Sequence, residues 1–172
     1  AVQPPSPPPS TPVVNTAITP VGWDLVGDPL AQSFYVNVSG TSTVQLTSID
    51  LYFQQKSFDA NHGFTLYVCE LNNGTPDITN IIPYSVKHID YSDVNIDASY
   101  ANTVTHITFE SPILLSNKTY YAFVIAPDNS DPDYRVWSAK LGDSDVLTGQ
   151  QVYQSPSTGS IFKSQNQQTW VA

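Results

Sequence analysis

From Ala31 onward, apolar side chains return at every second position in short runs broken by turn-forming residues. That period excludes amphipathic helices and dictates half-buried strands, because only an extended chain sends alternate side chains to opposite faces. In "LAQSFYVNVSG", Phe34, Val36 and Val38 alternate with Tyr35 and Asn37 before Ser39-Gly40 closes the run. "LTSIDLYFQQK" sets Ile49, Leu51 and Phe53 on one face, and "HGFTLYVCEL" does the same with Phe64, Leu66 and Val68 before the turn residues "NNGTPD". "PYSVKHI" alternates Tyr84, Val86 and His88, while "TVTHITFESPILL" carries Ile107 and Phe109 up to a proline step. "TYYAFVIAPD" is apolar on both faces, as a central strand covered from both sides would be. "YRVWSAKLG" puts Arg135, Trp137, Ala139 and Leu141 opposite Tyr134 and Val136, and "QQVYQS", "GSIFKS" and "QTWVA" follow. No window of helical length has a 3.6-residue period with caps. About eight to ten short strands at this spacing predict an all-β fold, an antiparallel β-sandwich that is jelly-roll-like or Greek-key.

The approach to that fold is different. Six of the fourteen prolines fall in "AVQPPSPPPSTP", residues 1–12, a composition that favours extended polyproline II and suits a semi-rigid spacer. Such a run is also the kind of ligand that aromatic-lined peptide-binding modules take. Residues 1–20 are read as a Pro-rich linker and residues 21–172 as one sandwich domain, a length sufficient for a core without staples. The chain has no methionine, which leads us to expect a segment of a longer polypeptide.

Charge narrows the partners. Fifteen acids against six bases leave a net charge of −9, with no Lys/Arg cluster to offset it, which disfavours anionic membranes and leads us to expect no nucleic-acid partner. No apolar stretch is long enough to span a bilayer, and no membrane insertion is expected. Charged residues make up only 12%, about half the usual share. The single cysteine, Cys69, cannot form an internal disulfide, and in "FTLYVCEL" it reads as a buried, inert thiol.

Candidate chemistry is sparse. A Ser/His/Asp hydrolase would draw on His62, His88 or His106, but no G-x-S-x-G elbow is present. Glu70 and Glu110, the only glutamates, each end a strand-like run, which suits solvation better than glycoside hydrolysis. We expect no enzyme. "DNSDPD" offers Asp128, Asn129, Asp131 and Asp133 as hard oxygen ligands, yet lacks the glycine and closing glutamate of an EF-hand. Calcium is therefore the one candidate ion and no other cofactor is expected; ordinary turn chemistry explains the same residues, as it does Asp90, Asp93 and Asp97. A glycan site on a sandwich needs aromatic faces beside amides, and two groups qualify: Tyr134, Arg135 and Trp137, then Gln165, Asn166 and Trp170. Against this, a mid-strand Trp usually fills a core. Sequons at Asn37, Asn73 and Asn117 arise readily in so Asn- and Thr-rich a chain.

Taken in order, "DPLAQSFYV", "LTSIDLYFQQKS", "LNNGTPD", "FESPILLSNKTYYAFVIAPDNSDPDYRVWSAKLGD" and "GSIFKSQNQQTW" resemble a domain that recurs in large tail and baseplate proteins of tailed bacteriophages. The resemblance runs from about Asp28 to Ala172 and is carried most specifically by "YRVWSAKLG" and "GSIFKSQNQQTW"; the Pro-rich leader lies outside it. It implies a non-enzymatic virion sandwich, part of a longer polypeptide, whose partners are other tail or baseplate proteins and copies of itself. Glycans are the alternative partner. On this reading "GSIFKSQNQQTW" is a turn and closing strand in which Ile161, Phe162 and Trp170 pack and Gln165 and Asn166 pin the segment.

Overall fold

The computed structural model describes residues 19–24, 28–138, 144, 148–151 and 159–172. It is all-β, two antiparallel sheets packed face to face. β1 (Thr19–Asp24), β9 (Arg135–Ser138), β3 (Thr43–Gln55) and β7 (Val104–Ser116) form the four-stranded sheet in that order. The six-stranded sheet runs β10 (Ile161–Lys163), β2 (Leu30–Val36), β8 (Thr119–Pro127), β4 (Phe64–Asn72) and β5 (Thr75–Ile81), with β6 (Lys87–Ile89) also on β4. The first strand begins at Thr19, two residues ahead of the expected domain start. The continuations expected at Ala139 and Leu141, and most of "QQVYQS", lie outside the described residues.

The alternation read from sequence becomes the inner face. Ile49, Leu51, Phe53, Phe64, Leu66, Val68, Ile107, Phe109 and Val136 all pack into the inter-sheet core. Phe53, Phe64 and Tyr134 are its aromatic centre, with ring centroids 5.2–5.8 Å apart. β8 lies centrally in its sheet and is covered twice: Tyr121 and Ile125 face the core, Ala122 and Val124 the opposite side. That outer face gathers Ala31, Tyr67, Cys69, Ala122 and Val124 under Phe162 and Trp170. Gly159 enters this segment so close to β2 that a Cβ there would meet the Ser33 carbonyl oxygen at 1.6 Å.

Pro112 does not end β7, contrary to the expected step. β7 is an edge strand whose pairing slips opposite Thr47, between Leu46↔Ile113 and Ser48↔Thr108, so a residue without an N–H is tolerated there. Ile113 and Leu115 then rejoin the core.

Both ends of the sandwich, where the chain crosses between sheets, are pinned by side chains. At one end Asn117 accepts from Val38 N–H (2.9 Å) and donates to the carbonyls of Val38 (2.6 Å) and Thr41 (2.7 Å), tying the β7–β8 turn to the β2–β3 loop. With its amide so occupied, Asn117 is unsuited to glycan attachment. The other end is held by acids and histidines.

Candidate functional site

At that second end, two connections meet a short strand: residues 56–63 between β3 and β4, residues 128–134 between β8 and β9, and His88 on β6. Asp131 is buried, and its carboxylate accepts from the Ser57 hydroxyl (2.6 Å), His62 Nδ1 (2.7 Å) and Asp133 N–H (2.9 Å). Asp128 accepts from Gly63 N–H (2.9 Å) and His88 Nε2 (2.8 Å), and Asp133 from Phe58 N–H (3.3 Å). Asn129 Nδ2 stands 3.0 Å from His62 Nε2. The Tyr134 hydroxyl, rising from the core, donates to the His62 carbonyl at 2.7 Å.

The titration of this cluster follows from its contacts. The hydrogen bond to Asp131 raises the pKa of His62, and the Asp59, Asp131 and Asp128 charges add to it against a smaller desolvation effect. Burial pushes the Asp131 carboxyl up, but the bonds from Ser57, Asp133 and His62 together outweigh it and leave the pKa lowered. Ser57, His62 and Asp131 thus do meet, but serine and histidine both sit on the carboxylate, and among the described residues no hydroxyl is hydrogen-bonded to His62, so the serine-to-histidine contact of a hydrolase triad is not formed by this set.

The proposed calcium ligands are spent in the same way. Asp128, Asp131 and Asp133 all accept N–H or O–H donors from the β3–β4 connection, with His88 added at Asp128, so in this structure "DNSDPD" works as turn and clasp chemistry. Among the described residues no group of three His, Cys, Asp or Glu is placed to hold a metal ion.

The aromatic groups also need correcting. Tyr134 is fully buried in the core, and Trp137 is buried on the other side of β9 with Nε1 donating to the Asp97 carbonyl at 2.9 Å. Arg135 is half-buried at the head of β9, in register with Asp24 and Gln55. Trp170 is buried against the outer face of the six-stranded sheet. None of these three rings offers a face for a sugar, and the two groups sit on different sheets. Gln165 is exposed; Asn166, also exposed, uses its Oδ1 to accept from Gln168 N–H (2.9 Å) and Thr169 N–H (2.8 Å). Asn166 therefore shapes the closing bend as expected, but the amide that ties the bend to the sheet is Gln167, which accepts from the Tyr67 hydroxyl at 2.6 Å.

What the sequence reading missed is a turn that displays apolar side chains. β4 pairs with β6 up to Leu66 and with β5 from Cys69, leaving Val68 between them. Ser85, fully buried, fills that gap: its hydroxyl donates to the Val68 carbonyl (3.0 Å) or the Ile82 carbonyl (2.7 Å) and accepts from Val68 N–H (3.1 Å). Ser85 N–H also closes on the Ile82 carbonyl at 3.2 Å, a β-turn with Pro83 and Tyr84 at its centre. Tyr84 has φ +66°, a value that a turn of this kind normally assigns to glycine. The alternation Tyr84, Val86, His88 is therefore a surface face: Tyr84 is 81% and Val86 59% exposed, with Ile81 beside them. Pro83 was the one legible signal; nothing marks Ser85 as buried.

No family model, curated protein or solved structure matches the chain.

Proposed function

We propose that the chain is a non-enzymatic structural and interaction module of a bacteriophage tail or baseplate, joined to neighbouring virion proteins and to further copies of itself. The observation that supports this most is an inversion of use. Several side chains able to do chemistry are tied up within the fold, as Asp131, His62, Tyr134 and Trp137 are, while large apolar ones are displayed. Tyr84 is held outward on a turn locked by Ser85, and Phe58, Val86 and Leu114 are exposed on the same rigid frame. Exposed aromatics on a fixed scaffold are the anchors of protein interfaces. The resemblance in "YRVWSAKLG" and "GSIFKSQNQQTW" supplies the kind of assembly.

The test is immunoelectron microscopy of purified phage particles from the source culture, using an antibody raised to this domain. Label at fixed positions on tails, reduced when Tyr84→Ser is introduced, is the expected result. Protein abundant in lysate but absent from particles overturns the reading, as does specific, saturable binding on a multivalent glycan array.

A further inference from the structure

The connection between β3 and β4 is held at almost every residue. Ser57 is buried with its hydroxyl on Asp131, and Phe58 N–H donates to the Asp133 carboxylate. Asp59 N–H returns to Ser57 Oγ (2.9 Å), Asn61 N–H and Nδ2 close on Asp59 Oδ1 (2.9 and 2.8 Å), and His62 N–H reaches the Asp59 carbonyl (3.1 Å). Asp133 is fixed in its turn, its N–H on Asp131 and its carbonyl accepting from Gln55 Nε2 at 2.9 Å. Gly63 ends the connection so close to β6 that a Cβ there would meet the Ile89 carbonyl oxygen at 2.0 Å. Out of this frame stands one large apolar side chain, Phe58, 81% exposed. A phenyl ring turned outward adds nothing to its own chain's core, and an aromatic held in place before binding is what protein interfaces use as an anchor.

We infer that Phe58 anchors a different protein, one that offers an apolar pocket ringed by lysine or arginine; this rests on the interaction-module function proposed above. The surroundings of the ring set the partner's charge. Asp59, Asp90, Asp128, Asp131 and Asp133 gather at this end of the sandwich, linked through His62, His88 and the Phe58 N–H. Lys56, the one Lys or Arg of the connection, is occupied on the carbonyls of Tyr91 (3.2 Å) and Val94 (3.0 Å). An aromatic centre inside an acidic rim is the complement of an apolar pocket inside a basic one. A second copy does not fit that description. The chain's six Lys and Arg are scattered, none within four positions of another, Lys56 and Lys87 are spent on main-chain carbonyls, and two such acidic ends repel each other. An anionic membrane is disfavoured on the same ground. Rigidity adds affinity, because a loop ordered before its partner arrives loses little conformational entropy on docking.

The experiment puts the photo-crosslinker p-benzoylphenylalanine in place of Phe58 in assembled phage particles, irradiates them and maps the product by mass spectrometry. The expected product joins position 58 to a different polypeptide, at an apolar site flanked by Lys or Arg. Binding of the purified chain to that polypeptide is then measured. Phe58→Ser leaves the hydrogen bonds of the loop in place and is expected to weaken the association about thirtyfold or more, the scale of an interface hot spot. Asp59→Asn combined with Asp133→Asn keeps the oxygen acceptors, removes two charges, and is expected to flatten the salt dependence of binding. A product between two copies of this chain overturns the inference, as does a partner site without basic residues, an unchanged affinity in Phe58→Ser, or no product from particles that carry the domain; the structural role proposed above survives each of these. Particles that lack the domain overturn both.

Discussion

At position 84 a tyrosine stands where a type II turn asks for glycine, and its two roles separate experimentally. A bulky side chain at φ +66° carries strain of about 1–3 kcal/mol. Glycine relieves it at an unfolded-state entropy cost of about 0.5–1 kcal/mol. Tyr84→Gly is therefore expected to raise stability by about 1 kcal/mol, read as a higher urea midpoint with unchanged slope; a lower midpoint would mean that the ring packs. Asn166 poses the opposite case. Its Oδ1 satisfies two backbone N–H groups, so Asn166→Ala is expected to cost about 1–2 kcal/mol, whereas the exposed Gln165→Ala changes little. Thermal melts of the two variants check the contrast. Both residues lie in one amide-rich run, and composition alone does not say which amide meets a backbone donor.

At the scale of elements, legibility followed periodicity. Phe64, Leu66 and Val68, or Ile49, Leu51 and Phe53, announce their face because one slip in register would expose them all. β8 was legible as a central strand because Ala122 and Val124 are apolar where an exposed face would be polar. Pro112 misled because its tolerance depends on β7 being an edge, a fact of topology. The loops were opaque for another reason: "DNSDPD" has the same composition whether its carboxylates hold an ion or clasp neighbouring loops, and only long-range partners decide. His62 and Ser57 lie about seventy residues from Asp131, beyond any local pattern. The clasp has a definite pH response. With its pKa raised, His62 contributes stability below its ordinary value of about 6.5, lost as pH climbs through the folded value. Asp131, with its pKa lowered, contributes above its ordinary value of about 3.8, lost as pH falls through the folded value. Thermal stability is thus expected to decline as pH rises above about 6.5 and through the raised folded value of His62, and His62→Gln to flatten that decline. An unchanged slope in the variant would assign the effect to the general acidity of the surface.

For the whole molecule, the two clusters make different claims on cooperativity. The inter-sheet core joins strands from both sheets, whereas the outer cluster depends on a short C-terminal segment held along one edge, by β10 on β2, the Ser33–Ser160 and Ser164–Pro29 hydrogen bonds and the Tyr67–Gln167 bond. A segment attached along a single edge strand opens at lower free energy than the core beneath it. Cys69 reports that opening, since it belongs to the same cluster as Phe162 and Trp170 and is fully buried. Burial pushes its thiol up to about 11, so alkylation near neutral pH requires both exposure and ionisation. Native alkylation is expected to be slow and only weakly accelerated by dilute urea, the signature of local opening. Trp170→Ala removes a buried indole, a change that typically costs about 3 kcal/mol or more, so the alkylation rate should rise more than about a hundredfold. The inter-sheet core should keep its cooperative transition. If alkylation instead tracks global unfolding in both proteins, the C-terminal segment is part of the cooperative core, and the sandwich behaves as three bonded layers rather than two with a flap.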